Sequence, residues 1–256
     1  MTARRRREPA DSRLFASDQR PRLHLAVAEL SLRLGRGDPE PHAAAAVGER
    51  HRLSPRQRLA VRRCACAEPA AAARRARRVG LVELRGRPLL IDGFNALITL
   101  ECALAQATVV VGRDGAHRDL AGIYGAYDMV LETDFAIAAI GRLLADAAPA
   151  TITWLLDRPV VAAARLRARL LALAAAHGWS WDVRLAGRVD VALAAAPGVI
   201  ATSDAWILDH CGPWIDLLGA LLAAPIATMG GAGPTLPLRP ELWRVDLSGA
   251  DEPERG

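Results

Sequence analysis

The chain of 256 residues has no lysine: all 33 of its basic side chains are arginine. Alongside so many alanines, this marks a bias of composition, so the abundance of arginine is not by itself a binding signal. Cysteine is sparse, with Cys64, Cys66, Cys102 and Cys211 and no CxxC or paired-histidine spacing. That excludes a disulfide framework and leaves a zinc site without support; the thiols read as reduced and mostly buried. Aromatic residues make up only 4% of the chain, and Trp154, Trp179, Trp181, Trp206 and Trp214 all stand in apolar runs, where core packing is the expected role. No apolar run reaches the ~18 to 20 residues of a membrane span, because Arg, Asp, Gly or Pro interrupts each candidate. The opening MTARRRREPADSR is basic but has no apolar segment behind it, which argues against a secretory signal. A cytoplasmic protein without membrane contact is the expectation.

What is present begins with hydrophobic content: 52% of the residues, enough for a substantial core. The charge is divided along the chain. Residues 1–88 hold 21 Arg against 9 acids, and residues 89–256 hold 12 Arg against 19 acids. A basic first part joined to an acidic second part suits a polyanion grip beside a cation-binding region, and equally suits two halves that attract each other.

Residues 1–22 are charged and contain Pro9 and Pro21, the pattern of a disordered basic arm. Residues 23–67 read as a small all-α module of three helices. RLHLAVAELSLRLGRG stops at Gly35 and Gly37, and the helix after LSPRQ has Ser54 as N-cap and Pro55 as its first residue. Residues 68–87 read as a linker with a short strand at LVEL. From residue 88 to 256 short apolar runs alternate with helical stretches: PLLID, ATVVVG, MVLE, TITWLLD, WDVRLA, GVIATSD and PIATMG, with helices from Phe94, Thr133, Pro159, near Val189 and from Ala205. Continuous apolar strands separated by helices require a parallel sheet covered on both faces, so this part is predicted to be a three-layer α/β domain with a central parallel sheet.

Three of these runs finish on an acid: Asp92 in LLID, Asp157 in WLLD and Asp204 in IATSD. In an open parallel sheet the carboxyl ends of all strands lie along one edge, where ligands bind. Asp190, at the start of the helix before the Asp204 strand, returns to the same edge. Two ionised carboxylates about 4 Å apart repel by roughly 4 kcal/mol at an effective dielectric near 20, so a proton, an arginine or a divalent cation must offset them. Each acid also has a structural reading as a turn or cap residue; it is their recurrence on one edge that points to a site. Mg²⁺ or Mn²⁺ uses few carboxylates and leaves room for phosphate oxygens, and metal-assisted hydrolysis of a nucleic-acid backbone suits acids at a strand edge with no evident nucleophile. An Asp-x-Asp phosphatase pair is absent, because Phe94 stands where the second acid is needed.

On these residues the sequence resembles the PIN and NYN-like nuclease superfamily over about Pro88 to Met229. LLIDGFNALI looks like the first strand and Asp-x-x-Asn turn, RVDVALA like the helix with an Asp ahead of small apolar residues, and VIATSDAWI like the hydroxyl-Asp strand end. With ERHRLSPRQR ahead of IDGFNALITLE, the layout also resembles a prokaryotic family of unknown function with a small helical domain before a PIN-like domain. The resemblance implies a metal-dependent ribonuclease in which Asp92, Asp190 and Asp204 hold Mg²⁺ or Mn²⁺, Asn95 and Ser203 support them, and Asp157 stands near. It also implies a further helical acid, for which Glu132 is the match and Glu101 the spare. The alternative is a degenerate scaffold that binds RNA or a protein partner without catalysis. Gly112 to Asp128 is an insertion relative to simple PIN domains; Arg113, His117 and Arg118 on it are candidate phosphate contacts, or the segment packs on the helical module. RNA is the expected partner, and a homo-oligomer is left open.

Overall fold

The computed structural model describes residues 3–123, 125–224, 238 and 240–249. Helices α1 (Asp11–Leu14), α2 (Arg20–Gly35), α3 (Glu40–Arg50), α4 (Pro55–Cys64) and α5 (Glu68–Arg77) form the first part. As the sequence predicts, Ser54 caps α4: its hydroxyl accepts the Gln57 N–H at 3.3 Å, while the Gln57 side chain accepts the Ser54 N–H at 3.1 Å. Leu23, Val27 and Leu30 of α2, Val47 of α3 and Val61 of α4 meet in one buried cluster.

Two expectations for this part are corrected. Residues 3–22 are not a detached arm: Asp11 is fully buried, takes two 3.0 Å hydrogen bonds from Arg56, and accepts the Thr108 hydroxyl at 2.7 Å. Burying an unpaired carboxylate is costly, and the guanidinium fork of Arg56 makes the segment's docking favourable. Residues 68–87 are not an open linker either; they contain α5 and, in place of a strand, a 3₁₀ turn at Leu81–Leu84.

The second part contains β1 (Pro88–Asp92), α6 (Gly93–Leu104), β2 (Val109–Val111), β3 (His117–Asp119), α7 (Leu131–Ala147), β4 (Thr151–Asp157), α8 (Ala163–His177), β5 (Trp181–Ala186), α9 (Val189–Ala194), β6 (Val199–Ala201), α10 (Ala205–His210), β7 (Trp214–Ile215), α11 (Leu217–Ala223), α12 (Pro240–Trp243) and β8 (Arg244–Asp246). The main sheet runs β5-β4-β1-β6-β7 and every pairing is parallel. Alternation of side chains sorts the two faces. Leu89, Ile91, Trp154 and Leu156 pack with α6, α7 and α8, while Leu90, Leu155 and Ile200 pack with α9 and α10. The protein is therefore a three-layer α/β structure preceded by helices, as its apolar runs require.

Sequence and structure part company at several elements. ATVVVG does yield β2, but in a separate small sheet, β3-β2-β8, whose Val110 and Val245 join the core of the first helices. MVLE is not a strand: Leu131 already opens α7, because the Thr133 hydroxyl accepts the Val130 N–H at 2.9 Å and starts the helix there. Helix α8 begins at Ala163, after turns rather than at Pro159. PIATMG lies outside the described residues.

Candidate active site at the sheet edge

Strand β1 sends its following helix, α6, to one face of the sheet, and its neighbour β6 sends α10 to the other. Where adjacent strands diverge in this way a crevice opens beyond their carboxyl ends. Register decides what meets there: Ile91 pairs with Ala201, which brings Thr202 level with Asp92, and Asp92 pairs with Leu155, two residues before Asp157. Gly93 lets the chain turn so tightly, since a Cβ at that position would lie 2.4 Å from the Leu156 side chain and 3.0 Å from the Leu155 carbonyl.

The two strand ends are tied together. Thr202 Oγ1 donates to Asp92 Oδ2 at 2.8 Å and accepts the Asp204 N–H at 3.1 Å. Asn95 Oδ1 accepts both the backbone N–H of Ser203 at 2.8 Å and its hydroxyl at 3.0 Å. Asp204 is exposed and caps α10, its Oδ1 accepting from Trp206 N at 2.9 Å and Ile207 N at 3.0 Å. Asp92, Asn95, Asp157, Asp190 and Asp204 all line one cleft of about 620 Å³, whose walls also include Asp119, Arg63 and Arg188.

The carboxylates feel one another. Asp92 is only 7% exposed. Burial raises its pKa to about 7, with the charges of Asp204 and Asp157 adding to the rise and the Thr202 hydroxyl opposing it. Burial likewise raises Asp157, with Asp190 as the neighbouring charge. The acids thus interact as a series, Asp204 with Asp92, Asp92 with Asp157, and Asp157 with Asp190. Among the described residues no three carboxylate, histidine or cysteine side chains form a closed metal-binding group. The donor chemistry, carboxylate and hydroxyl oxygens in neighbouring pairs, suits a hard cation that keeps several waters rather than a cage made wholly of protein.

Other candidates lie elsewhere. Glu132 is buried at the start of α7, away from the cleft lining, where its Oε2 faces the Arg5 N–H at 3.4 Å and its Oε1 stands 3.9 Å from Arg4 Nε. Glu101 is fully buried and accepts from Arg5 Nε at 2.9 Å, the Thr133 hydroxyl at 2.6 Å and the Tyr127 hydroxyl at 2.7 Å. Both acids answer to the N-terminal arginines, not to the cleft.

Of the two readings left open for Gly112 to Asp128, packing on the helical module is the one seen: Arg113 N–H donates to the Cys64 carbonyl at 3.0 Å, and the phosphate-contact candidates are engaged within the protein. Arg113 pairs with Glu68 on α5. His117 is buried, with Nδ1 2.6 Å from Asp216. Arg118 is buried too, donating Nε to the Ser203 carbonyl at 2.8 Å and its two NH groups to Asp114 at 2.8 and 2.6 Å. Arg74 adds a 2.8 Å bond to the same carboxylate. The Arg118 guanidinium holds Asp114 well below the usual carboxylate range despite its burial. Arg118 therefore supports the Ser203 turn from behind. The sequence reading missed Asp119, Thr202, Arg63 and Arg188; β3 is too short to announce that Asp119 ends a strand, and Arg63 Nη1 stands 3.6 Å from it.

Fold and site together define a three-layer α/β protein with an aspartate-lined cleft at the carboxyl edge of a parallel sheet. The chain belongs to the family described as domain of unknown function (DUF5616), which matches residues 81–220, more than half its length. Residues 22–77 match protein of unknown function (DUF434), a stretch that takes in α5 and so places it with the helices before it. An uncharacterized protein of Methanocaldococcus jannaschii is 28% identical over 111 residues, covering 43% of this chain and 53% of that relative. The chain thus spans about half the length of the curated relative it matches. No solved structure matches.

Proposed function

We propose that this protein is a divalent-metal-dependent ribonuclease of the PIN-like kind, with Mg²⁺ or Mn²⁺ bound at the cleft and RNA as substrate. The reading rests chiefly on Asp92, a buried carboxyl whose charge is opposed by burial and by two further strand-end acids. Asp92 and Asp204 would hold the cation; Asp190, the third ligand that the resemblance implies, has Asp157 as its neighbouring charge, and these two would stand beside the ion. A bound divalent cation supplies charge stabilisation at a phosphoryl oxygen and a more acidic water. The chain's own contribution is positioning: Thr202 fixes one Asp92 oxygen, Asn95 holds the Ser203 turn, and Arg118 anchors that turn from the interior. Asp92, with its pKa raised to about 7 by burial, would hold the cation as the ionised carboxylate.

The test is RNA degradation by purified protein with Mg²⁺ or Mn²⁺, expected to be lost on chelation and in Asp92→Asn and Asp204→Asn. One observation favours the second reading, a non-catalytic RNA- or partner-binding scaffold: among the described residues the acids do not close into a three-ligand group. That reading expects salt-sensitive RNA binding that survives chelation and both substitutions. Equal cleavage by wild type and both variants would falsify the nuclease reading.

A further inference from the structure

Trp206 departs from the core role its sequence context suggests. It is 45% exposed and lines the cleft, two residues beyond Asp204 on the first turn of α10. One side of the indole is fixed: His210, one helical turn on, stacks against it with centroids 4.3 Å apart and planes 26° apart, and its Nδ1 lies 2.7 Å from the Trp206 carbonyl. Leaving a large aromatic half in water forgoes part of the stabilisation that its burial would give, and in this cleft that asks for a reason. Arg188, just before α9, lines the same cleft; it is exposed, and its guanidinium makes no hydrogen bond or ion pair among the described residues. Helices α9 and α10 pack side by side, so an aromatic surface and a free guanidinium are offered from neighbouring helix starts. The other cleft arginine, Arg63, is already engaged with Asp119.

We infer that Trp206, backed by His210, is a stacking platform for an unpaired nucleobase, with Arg188 contacting the phosphate beside it, so that substrate enters the cleft as a single strand. This rests on the nuclease reading and adds to it the form of the nucleic acid. In a duplex both faces of a base are covered by its neighbours, and an indole stacks only on a base that is unpaired or turned out. The space agrees: a cleft of about 620 Å³ takes a small ligand or a short stretch of one strand, not a helix. A strand alone would be repelled by the five aspartates, so the cation at the rim and Arg188 together supply the countercharge.

The experiment uses the whole chain with Asp92 intact and Mg²⁺ present, and follows by anisotropy a short fluorescent oligoribonucleotide whose phosphorothioate linkages resist cleavage. Trp206→Ala is expected to weaken binding about ten-fold and Trp206→Phe by less, in keeping with the loss of one base–aromatic stack. An oligomer abasic at every position should bind equally weakly with or without Trp206. Arg188→Gln should lower the dependence on salt by about one phosphate contact. Unchanged affinity in Trp206→Ala, equal binding of strand and duplex, or no strand binding at any salt overturns the platform. Since Trp206 is exposed, matching melting curves will show that the variant remains folded. With a cleavable oligoribonucleotide, metal-dependent cleavage at unchanged KM in Trp206→Ala overturns the platform and leaves the nuclease reading standing. Trp206-dependent strand binding by a protein that cuts nothing with any cation does the reverse.

Discussion

Thr202 Oγ1 sits 2.8 Å from Asp92 Oδ2 across the seam between β6 and β1, and the same oxygen receives the Asp204 N–H at 3.1 Å. One hydroxyl thus orients a buried acid of the cleft and the turn that carries its neighbour. Thr202→Val keeps the shape and removes the donor. The Asp92 titration, followed by carboxyl NMR, is expected to move upward from about 7, because the bond that favours the ionised form is gone. Stability should fall by about 1–3 kcal/mol, the cost of a buried polar group without its partner. An unmoved Asp92 midpoint would show that the hydroxyl does not tune this acid.

The raised pKa of Asp92 has a sign in the pH dependence of stability. Between the ordinary carboxylate value of 3.8 and about 7 the folded chain keeps a proton that the unfolded chain has released, so this contribution to stability falls as pH rises through that window. The size is up to about 4 kcal/mol, from 1.36 kcal/mol per unit. Asp92→Asn should therefore melt higher than wild type at pH 8 and nearly level with it at pH 4. Mg²⁺ should raise the wild-type melting temperature at pH 8, by mass action, with little effect on Asp92→Asn. Melting curves at the two pH values, with and without the cation, decide it.

Arg5 lies against Glu101, its Nη2 2.7 Å from a carboxylate with no exposure, and stands 5.1 Å from the Tyr127 ring centroid. Arg5→Ala leaves that carboxylate buried without its cation and is expected to cost about 3–5 kcal/mol. Combining it with Glu101→Gln should recover most of the loss. Urea unfolding of the two single variants and the double variant gives the coupling; additive effects would mean that Arg5 is not the counterion.

Asp114, between Arg118 and Arg74, holds its charge although buried. Asp114→Asn leaves two guanidinium groups facing a neutral amide and should destabilise the fold by about 3–5 kcal/mol near neutral pH. The carboxyl is depressed in the folded state, so its contribution is present above the ordinary carboxylate range and is lost as pH falls through the folded value. The gap between variant and wild type should close in acid. A gap independent of pH would assign the loss to packing.

How far each element could be read in advance follows from how local its cause is. LLID and WLLD announced β1 and β4 because strands buried on both faces are continuous apolar runs, and Ser54 with Pro55 announced α4 because capping is decided within four residues. The two-residue β7 gave no such signal. Strand β2 was legible as a strand but not as a member of the second sheet, since its parallel partner β8 lies far along the chain. Trp206 and Arg118 misled in opposite directions: an indole in an apolar run is exposed, and a guanidinium in a polar, Gly-rich segment is buried.

By itself, the sequence determined the layered α/β architecture and set Asp92, Asp157 and Asp204 at or just past strands of the main sheet, because side-chain alternation and parallel connections depend on short-range pattern. Only the tertiary structure decided which charges share a cleft and which are neutralised. Asp92, Asp157, Asp190 and Asp204 were left together at the open edge, while Glu101 went to Arg5 and Arg118 went to Asp114. The physical reason is that the cost of burying a charge depends on every group packed around it, and those neighbours come from segments as far apart as 138 residues in the pairing of Arg78 with Asp216.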